Sequence, residues 1–570
     1  MVWHPSLLSF LPSHDQLPSA AEISVPNSSK AVEDAQSQID QEIDALEATI
    51  RTLKRRRNAV SFVSRLPPEV LSNVFRLTRT IMQLQDSDRQ YSLAWIRVTH
   101  VCWHWRTVAI NCPDLWNRVV IPLEQGWLEE ILRRSKKTPL FIIADVRLFP
   151  RDGVQEFRTL WLHISRVREL DVSTLGTFGS STWSRDCLPE HPTPAPMLET
   201  FKLSHVELIA EKQFPDDFFQ GDVPALRQLT VMNFPVNWES PSFKQLVQLT
   251  VSFSSWDNRV APSMRQMLDF LGNLPNLEIL ELQHAFPVVD VPAVTLVSDR
   301  TIALPRLKRL TVNSIFLSCS NVLRQLRFPS LKFLDLQFSQ VDPRDFPSIL
   351  PTLSDWDNAA RSGQHPFITY FLCEYIGSGM LFSTFDPQEG DSFATAESAL
   401  RVKLLNTFST EVVRSVSKIL SLQNLEVLRV ISTVTLEEDR WLECFGHLPR
   451  LKTLSVFGNL QSEVLRALSS EMLTSTSALL ELTSSVLYFP VLCELVIECW
   501  CMGSYFEQLK SCLQKRLKFQ MGIQKLRLLA SPGLSEAQIT ALEDTVPQLI
   551  QELELDTEES SVEGTASDYD

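Results

Sequence analysis

The stretch PNLEILEL at residues 275–282 and the stretch PRLKRLTV at 305–312 follow one template, L-x-x-L-x-L with a proline two residues ahead of the first leucine. The template recurs along the chain, with Val, Ile or Phe sometimes in place of Leu. Its first positions are Val167, Leu198, Leu226, Leu246, Leu277, Leu307, Leu331, Leu425, Leu451, Leu492, Ile523 and Ile550. Pro196, Pro224, Pro275, Pro305, Pro329, Pro449 and Pro490 precede seven of them by two residues. Proline closes the preceding helix or loop and holds the chain extended where a strand begins. The L-x-L part alternates with period two, so each copy predicts a short strand that points its leucines into a core.

Successive first positions lie 31, 28, 20, 31, 30, 24, 94, 26, 41, 31 and 27 residues apart. Most are close to, or somewhat above, the roughly 20–29 residues of leucine-rich repeats. The pattern predicts an irregular leucine-rich-repeat solenoid, an α/β horseshoe, over residues 122–556. Each strand would be followed by a return helix, and neighbours would stack on one apolar spine. The 94-residue interval holds Gly377-Ser378-Gly379, so 337–424 is expected to be irregular. An asparagine eight positions after the first leucine occurs only at Asn459, so the turns must be satisfied by other groups. The competing reading is an ordinary α/β domain with several leucine-rich strands.

Composition narrows the function classes. The chain has 570 residues, too many for one compact core, with 44% hydrophobic and 21% charged residues, the balance of a folded protein. Glycine is scarce, 16 residues against a usual ~7%. Neither G-x-G-x-x-G nor G-x-x-x-x-G-K-[ST] occurs, which argues against dinucleotide and P-loop enzymes. A net charge of −15 lacks the electrostatic footprint of a nucleic-acid binder. Part of that excess lies in Glu552, Glu554, Asp556, Glu558, Glu559, Glu563, Asp568 and Asp570, with no Lys or Arg among them, and 557–570 reads as a solvated acidic tail. Ser560, Ser561 and Ser567 leave a phosphorylatable or docking tail open as well. Ten cysteines show no paired spacing; Cys499 and Cys501 are close but lack a second pair or a His to complete a zinc site. Leu7 to Leu11 is apolar but interrupted by Pro5 and Pro12 and unpreceded by Lys or Arg, so no signal peptide is expected. No run of 18 apolar residues predicts a membrane span. A reducing compartment is expected, with cysteines acting as small buried apolar groups.

Residues 1–35 are rich in Ser and Pro and read as a disordered N-terminus. Over 36–61 the pattern changes. Ile39, Ile43, Leu46, Ile50 and Leu53 follow a 4-3-4-3 spacing, with Val60 in phase after Arg57. This is an a/d stripe of about three heptads. Two readings stay open: an amphipathic helix packed on its own domain, or weak coiled-coil self-association. Lys54-Arg55-Arg56-Arg57 suits a helix C-terminus, and a nuclear-import signal is a second reading of it.

The block 62–121 opens with LPPEVL at 66–71. Two prolines and an acid suit the first turn of a helix, where missing N–H groups cost nothing and a carboxylate meets the positive end. Val70, Leu71, Val74 and Phe75 then share a face. After a polar loop, Gln83 to Gln90, a second helical stripe runs through Val98, Val101, Cys102, Trp105, Val108 and Ala109. Asn111-Cys112-Pro113 stops it, and Leu115-Trp116 supplies a bulky closing pair. Seven Arg against four acids make the block basic, opposite to the whole chain.

This arrangement resembles the F-box, a three-helix module that docks on the Skp-type adaptor of cullin-RING ubiquitin ligases. It is most similar to the F-box proteins that fungi carry in large families. The link from Thr78 to Ser92 is longer and more polar than the family pattern. The resemblance implies a substrate receptor without an active site or cofactor, bound to an adaptor and through it to a cullin. Its repeats would hold a target protein, and it would work in the cytoplasm, the nucleus or both. It points to Leu66, Pro67, Pro68, Glu69, Val70, Leu71, Val74, Phe75, Val98, Val101, Cys102 and Trp105 as the adaptor-binding set, some for docking and others for internal packing. A repeat scaffold without a ligase role is the alternative.

Other chemistry has little support. His100 and His104 would share a helix face with Cys102 nearby, but the H-E-x-x-H arrangement is absent, and so is a G-x-S-x-G elbow. No metal site is expected. Trp161, Trp183, Trp238, Trp256 and Trp500 read as fillers first and as binding anchors second.

Overall fold

The structure is a computed structural model. It describes residues 29–85, 93–121, 123, 126–145, 158–174, 193–206, 223–236, 238–239, 243–255, 261–287, 301–363, 368–376, 379–385, 399–407, 409–432, 438–458, 461–474, 484–498, 502–529 and 534–552. The acidic tail, Asn459, Cys499, Cys501, Trp183, Trp256, Trp500 and most of 1–35 lie outside the described residues. The chain divides into two compact units, residues 1–118 with 129–138, and residues 119–128 with 139–570.

The first unit is helical. Helix α1 (Ser29–Ala59) starts ahead of the expected residue 36, because Ala31, Ala35 and Gln36 continue a helix-forming run with no breaker after Pro26. Helix α2 (Pro68–Gln85) takes Pro68 and Glu69 in its first turn. It runs into the expected polar link: Thr78 to Gln85 is helix, which removes half of the gap read from the sequence. A 3-10 segment (Ala94–His100) and helix α3 (Trp103–Asn111) follow. The expected single stripe is therefore two pieces. Ile96, Val98, Thr99 and Val101 are β-branched and stiff, which disfavours a continuous α-helix there.

The second unit is built on one long, mostly parallel sheet, which seventeen strands join among the described residues. From Leu140–Asp145 to Phe333–Ser339, each strand of this sheet runs parallel to the one before it. Register aligns the template residues across strands. Leu170, Phe201, Leu229, Leu249, Leu280, Leu310 and Leu334 form one buried row, and Val172, Leu203, Val231, Val251, Leu282, Val312 and Leu336 form the next. Each such side chain contributes about 1.5–3 kcal/mol by leaving water.

The prolines act one step earlier than a strand opening. Leu277 N–H donates to Leu274 O at 3.3 Å, Leu307 to Leu304 at 3.2 Å, and Leu451 to Leu448 at 3.4 Å. Pro275, Pro305 and Pro449 are thus residue i+1 of β-turns, where a fixed φ is already suited. The residues at both ends of these turns are buried. The template is therefore longer than it looked, an apolar residue, Pro, any residue, then the first Leu.

One register differs from the sequence reading. The last strand, Gln548–Glu552, aligns Leu549 with Leu526, so its first position is the buried Val546 and not Ile550. Ile550 instead lies opposite Arg527. A copy was also missed. Ile368, Phe371 and Cys373 are buried in template spacing, with Phe and Cys standing where leucines were sought.

Within 337–424 the sheet changes course. Strand β1 (Phe333–Ser339) is followed in sequence by β2 (Tyr370–Ile376), β3 (Gly379–Phe385), β4 (Leu400–Leu404) and β5 (Val427–Ser432). Yet β1 pairs with β4, and β2 pairs with β5, both parallel. Strand β3 lies between β2 and β4, antiparallel to both. The chain thus skips two places, doubles back to fill them, and resumes. Gly379 permits the reversal: a Cβ there would sit 2.7 Å from Leu404 O.

Helices Leu350–Arg361, Thr410–Ile419, Glu438–Phe445, Gln461–Ser469, Met502–Lys518 and Glu536–Glu543 pack each against the next. Two polar side chains tie this layer internally. Arg516, fully buried, donates to Leu468 O, Tyr488 O and Phe489 O at 3.0, 3.0 and 2.7 Å. Buried Asp357 accepts from Ser421 N and Oγ at 2.7 and 2.6 Å, and pairs with Arg361 at 2.8 Å. Asn233 satisfies one of the turns that the sequence leaves without an asparagine ladder. At φ 60° it donates to His205 O and Val206 O and accepts from Ser254 N.

Candidate functional site

Helix α2 has apolar side chains on two adjacent faces, more than its own core covers. Leu71 and Phe75 are fully buried. Val70, Val74, Leu77 and Ile81, spaced 4, 3 and 4, stand 42, 41, 63 and 53% exposed. A helix that only served its own core would carry one stripe. A contiguous exposed apolar row marks an interaction surface. Phe62, Val63, Val101 and Trp103 are exposed as well.

The other predicted residues separate by role. Val98 is buried, and Trp105 lies 5.0 Å from Phe75, ring centroid to centroid. Leu66 is half-buried; Pro67, Pro68 and Glu69 are exposed at the start of α2. Pro67 O accepts the Leu71 N–H at 3.1 Å, closing the first turn. Cys102 is not on a buried helical stripe, because the chain breaks there. It is the N-cap of α3, half-buried, and its Sγ accepts from Trp105 N at 3.5 Å. The same break puts His100 and His104 on different elements, so they do not share a helix face. Among the described residues no group of three or more His, Cys, Asp or Glu is placed to hold a metal.

The closing pair is fixed from several sides. Trp116, fully buried, donates Nε1–H to Ala109 O at 2.9 Å. Its ring meets Trp95 edge-on at 4.9 Å, and the Arg134 guanidinium lies 4.2 Å above it. Arg79 reaches from α2 to Asp114 O, Leu115 O and Asn117 Oδ1 at 3.1, 3.1 and 3.3 Å. Burial, with Arg118 and Arg76 nearby, lowers its pKa.

Residues 63–122 match the family model described as F-box-like, 60 of the 570 residues. This segment is an F-box-like domain. No curated protein matches the chain. F-box domains generally bind Skp-type adaptors and are typically non-catalytic. The exposed row on α2 lies inside the matched residues.

Sequence reasoning overlooked Leu77, Ile81 and Arg79 in the F-box-like domain. The first two continue the 4-3-4 spacing from Val70; Ile81 falls inside the link expected from Thr78 to Ser92, and Leu77 lies just before it. Arg79 gave no signal, since only folding brings residues 114–117 to it.

In the second unit, the sheet face opposite the leucine rows carries a charged band. Asp335 lies directly across from Arg401, with Arg309 and Lys403 close by; Glu374 and Arg429 continue the band. Burial raises the carboxyls of Asp335 and Glu374, against the pull of Arg401, Lys403, Arg309 and Arg429. Arg309 stacks over Phe333 and Arg429 over Phe457, each at 4.4 Å. Trp161 and Trp238 are buried and serve as fillers. Cys319, Cys373, Cys444 and Cys512 are buried too, and burial raises their thiol pKa values, that of Cys444 to about 11.

Proposed function

We propose that this protein is the substrate-recognition subunit of an SCF-type cullin-RING ubiquitin ligase. One observation carries the reading: in a domain whose family docks Skp-type adaptors, α2 leaves Val70, Val74, Leu77 and Ile81 exposed in a row. Such a row fits an apolar groove in the way of other helix-in-groove contacts. Pro67 and Val101 extend the docking face. Leu71, Phe75, Val98 and Trp105 hold the helices together beneath it. Leu66, Pro68 and Glu69 set the start of α2, and Cys102 caps α3.

The second unit is read as a degenerate leucine-rich-repeat array, a horseshoe spanning about 122–556, and its charged open face as the surface for a target protein. The receptor makes and breaks no bond. It raises the effective concentration of target lysines near a ubiquitin carrier brought by the cullin. The cytoplasm or nucleus is the place of work.

Co-purification with the Skp-type adaptor tests the docking. Wild type should retain the adaptor, and Val70→Asp/Val74→Asp should weaken binding roughly tenfold or more, since charges would enter an apolar contact. Both positions are exposed, so circular dichroism should be unchanged. Absence of adaptor binding by the wild type would favour a scaffold without a ligase role.

A further inference from the structure

Helix α1 is 31 residues long, and its heptad residues are exposed. Ile39, Ile43, Leu46, Ile50 and Leu53 are 44–49% exposed along one side. Heptad labels put Ile39, Leu46 and Leu53 at d, and Ile43, Ile50 and Arg57 at a. The contact of α1 with the rest of its unit uses another side. Arg55, at f, lies 5.1 Å from the ring of Trp103 on α3. The domain therefore holds α1 by its back and leaves the a/d seam open.

Charge along α1 identifies what covers the seam. After a single Lys30, the acids Glu33, Asp34, Asp40, Glu42, Asp44 and Glu47 follow with no base among them; Arg51, Lys54, Arg55, Arg56 and Arg57 fill the last part with no acid. Two copies side by side in parallel would lay like charges together, with Glu42 at g facing Glu47 at e of the other copy. Antiparallel, each acidic half meets a basic half, and only Glu47, next to the two-fold axis, faces its own copy. Pairing residues whose numbers sum to 96 stacks Ile43 on Leu53 and Leu46 on Ile50. Asp40 then flanks Lys54, and Glu42 flanks Arg56, each twice by symmetry.

We propose that α1 pairs antiparallel with α1 of a second copy of this chain in that register. The pairing closes two copies around a two-fold axis, the symmetry under which one seam is complementary to itself. It does not depend on adaptor docking.

Sedimentation of the full chain at on the order of 10 µM, a regime suited to a seam of about three heptads, reads the outcome. Wild type should run at twice the 65.0 kDa chain mass. Asp40→Lys/Glu42→Arg and Lys54→Glu/Arg56→Glu should each dissociate roughly tenfold or more easily, because each sets like charges across the seam. Mixed one to one they should dimerise again. The substituted acidic half of one then meets the substituted basic half of the other, and the unaltered halves meet each other. A monomeric wild type overturns the proposal. So does a dimer strengthened by Asp40→Lys/Glu42→Arg alone, which is the parallel arrangement, or a mixture that stays monomeric. A dimer that survives Leu46→Asp/Ile50→Asp overturns it as well, since contact would then lie elsewhere.

Discussion

Apolar periodicity meets opposite fates in the two units. In the sheet unit, the leucines of the template are almost all buried, and few large apolar side chains stand out, Leu162 and Leu517 among them. In the helical unit, the residues at regular spacing on α1 and along one side of α2 face solvent. A strand has two faces and a register set by its neighbours, so a period-two pattern is consumed by its own sheet. A helix of 18 or 31 residues presents apolar positions all along its length, and a small module has too little core to cover them. Regular apolar spacing thus reads as core in one unit and as surface for other molecules in the other.

Substitutions at the two kinds of position should separate cleanly. The largest loss is expected from Phe75→Ala, about 3–5 kcal/mol of unfolding free energy, because a fully buried ring against Trp105 is removed. Leu310→Ala, in the middle of a buried row, should cost about 2–5 kcal/mol. Denaturant titrations read both. A loss below about 1 kcal/mol at Leu310 would mean that the sheet's leucine rows are loosely packed, and the contrast between the units would fail.

Polar groups sharpen the comparison within the sheet unit. Arg516→Met keeps the apolar stem but leaves the carbonyls of Leu468, Tyr488 and Phe489 without this donor. A loss of about 2–3 kcal/mol is expected, measured by thermal or denaturant unfolding. Asn233→Ala should cost about 1–2 kcal/mol, since it removes three hydrogen bonds and places alanine at φ 60°. Asn233→Gly, which relieves the φ strain alone, should recover part of that loss.

The strands were legible because their signal is local: a proline turn followed by leucines three and five residues on. Where the template residue changed type, as at Phe371 and Cys373, or where a complete copy from Ile550 outscored the Val546 register with its polar Gln551, the local signal was silent or misleading. The order β1, β4, β3, β2, β5 had no local signature at all, because it depends on which strand reaches the open edge of β1. In the F-box-like domain, the existence of the helices and the start of α2 at Pro68 were legible through the family pattern. The break at Cys102 was not, since the apolar spacing of Val98, Val101 and Trp105 suits one helix as well as two pieces. Arg79 and Arg516 act on carbonyls 35 or more and 27 or more residues away, beyond any periodic reading.

The smallest effect on stability is the most informative one. Leu77 and Ile81 are more exposed than Val70 and Val74. Leu77→Ser/Ile81→Ser should therefore change the unfolding free energy by no more than about 0.5 kcal/mol. Serine is a weaker helix former than leucine, so even that small change should be a loss. If the row from Val70 to Ile81 is one docking surface, the same variant should weaken adaptor binding in titration calorimetry, and its effect should add to that of Val70→Asp/Val74→Asp only in part, because the residues share one groove. Unchanged binding would confine docking to the first turn and a half of α2. A stability loss as large as that of Phe75→Ala would mean that the row is core covered from within the chain, and the distinction between the two units would collapse.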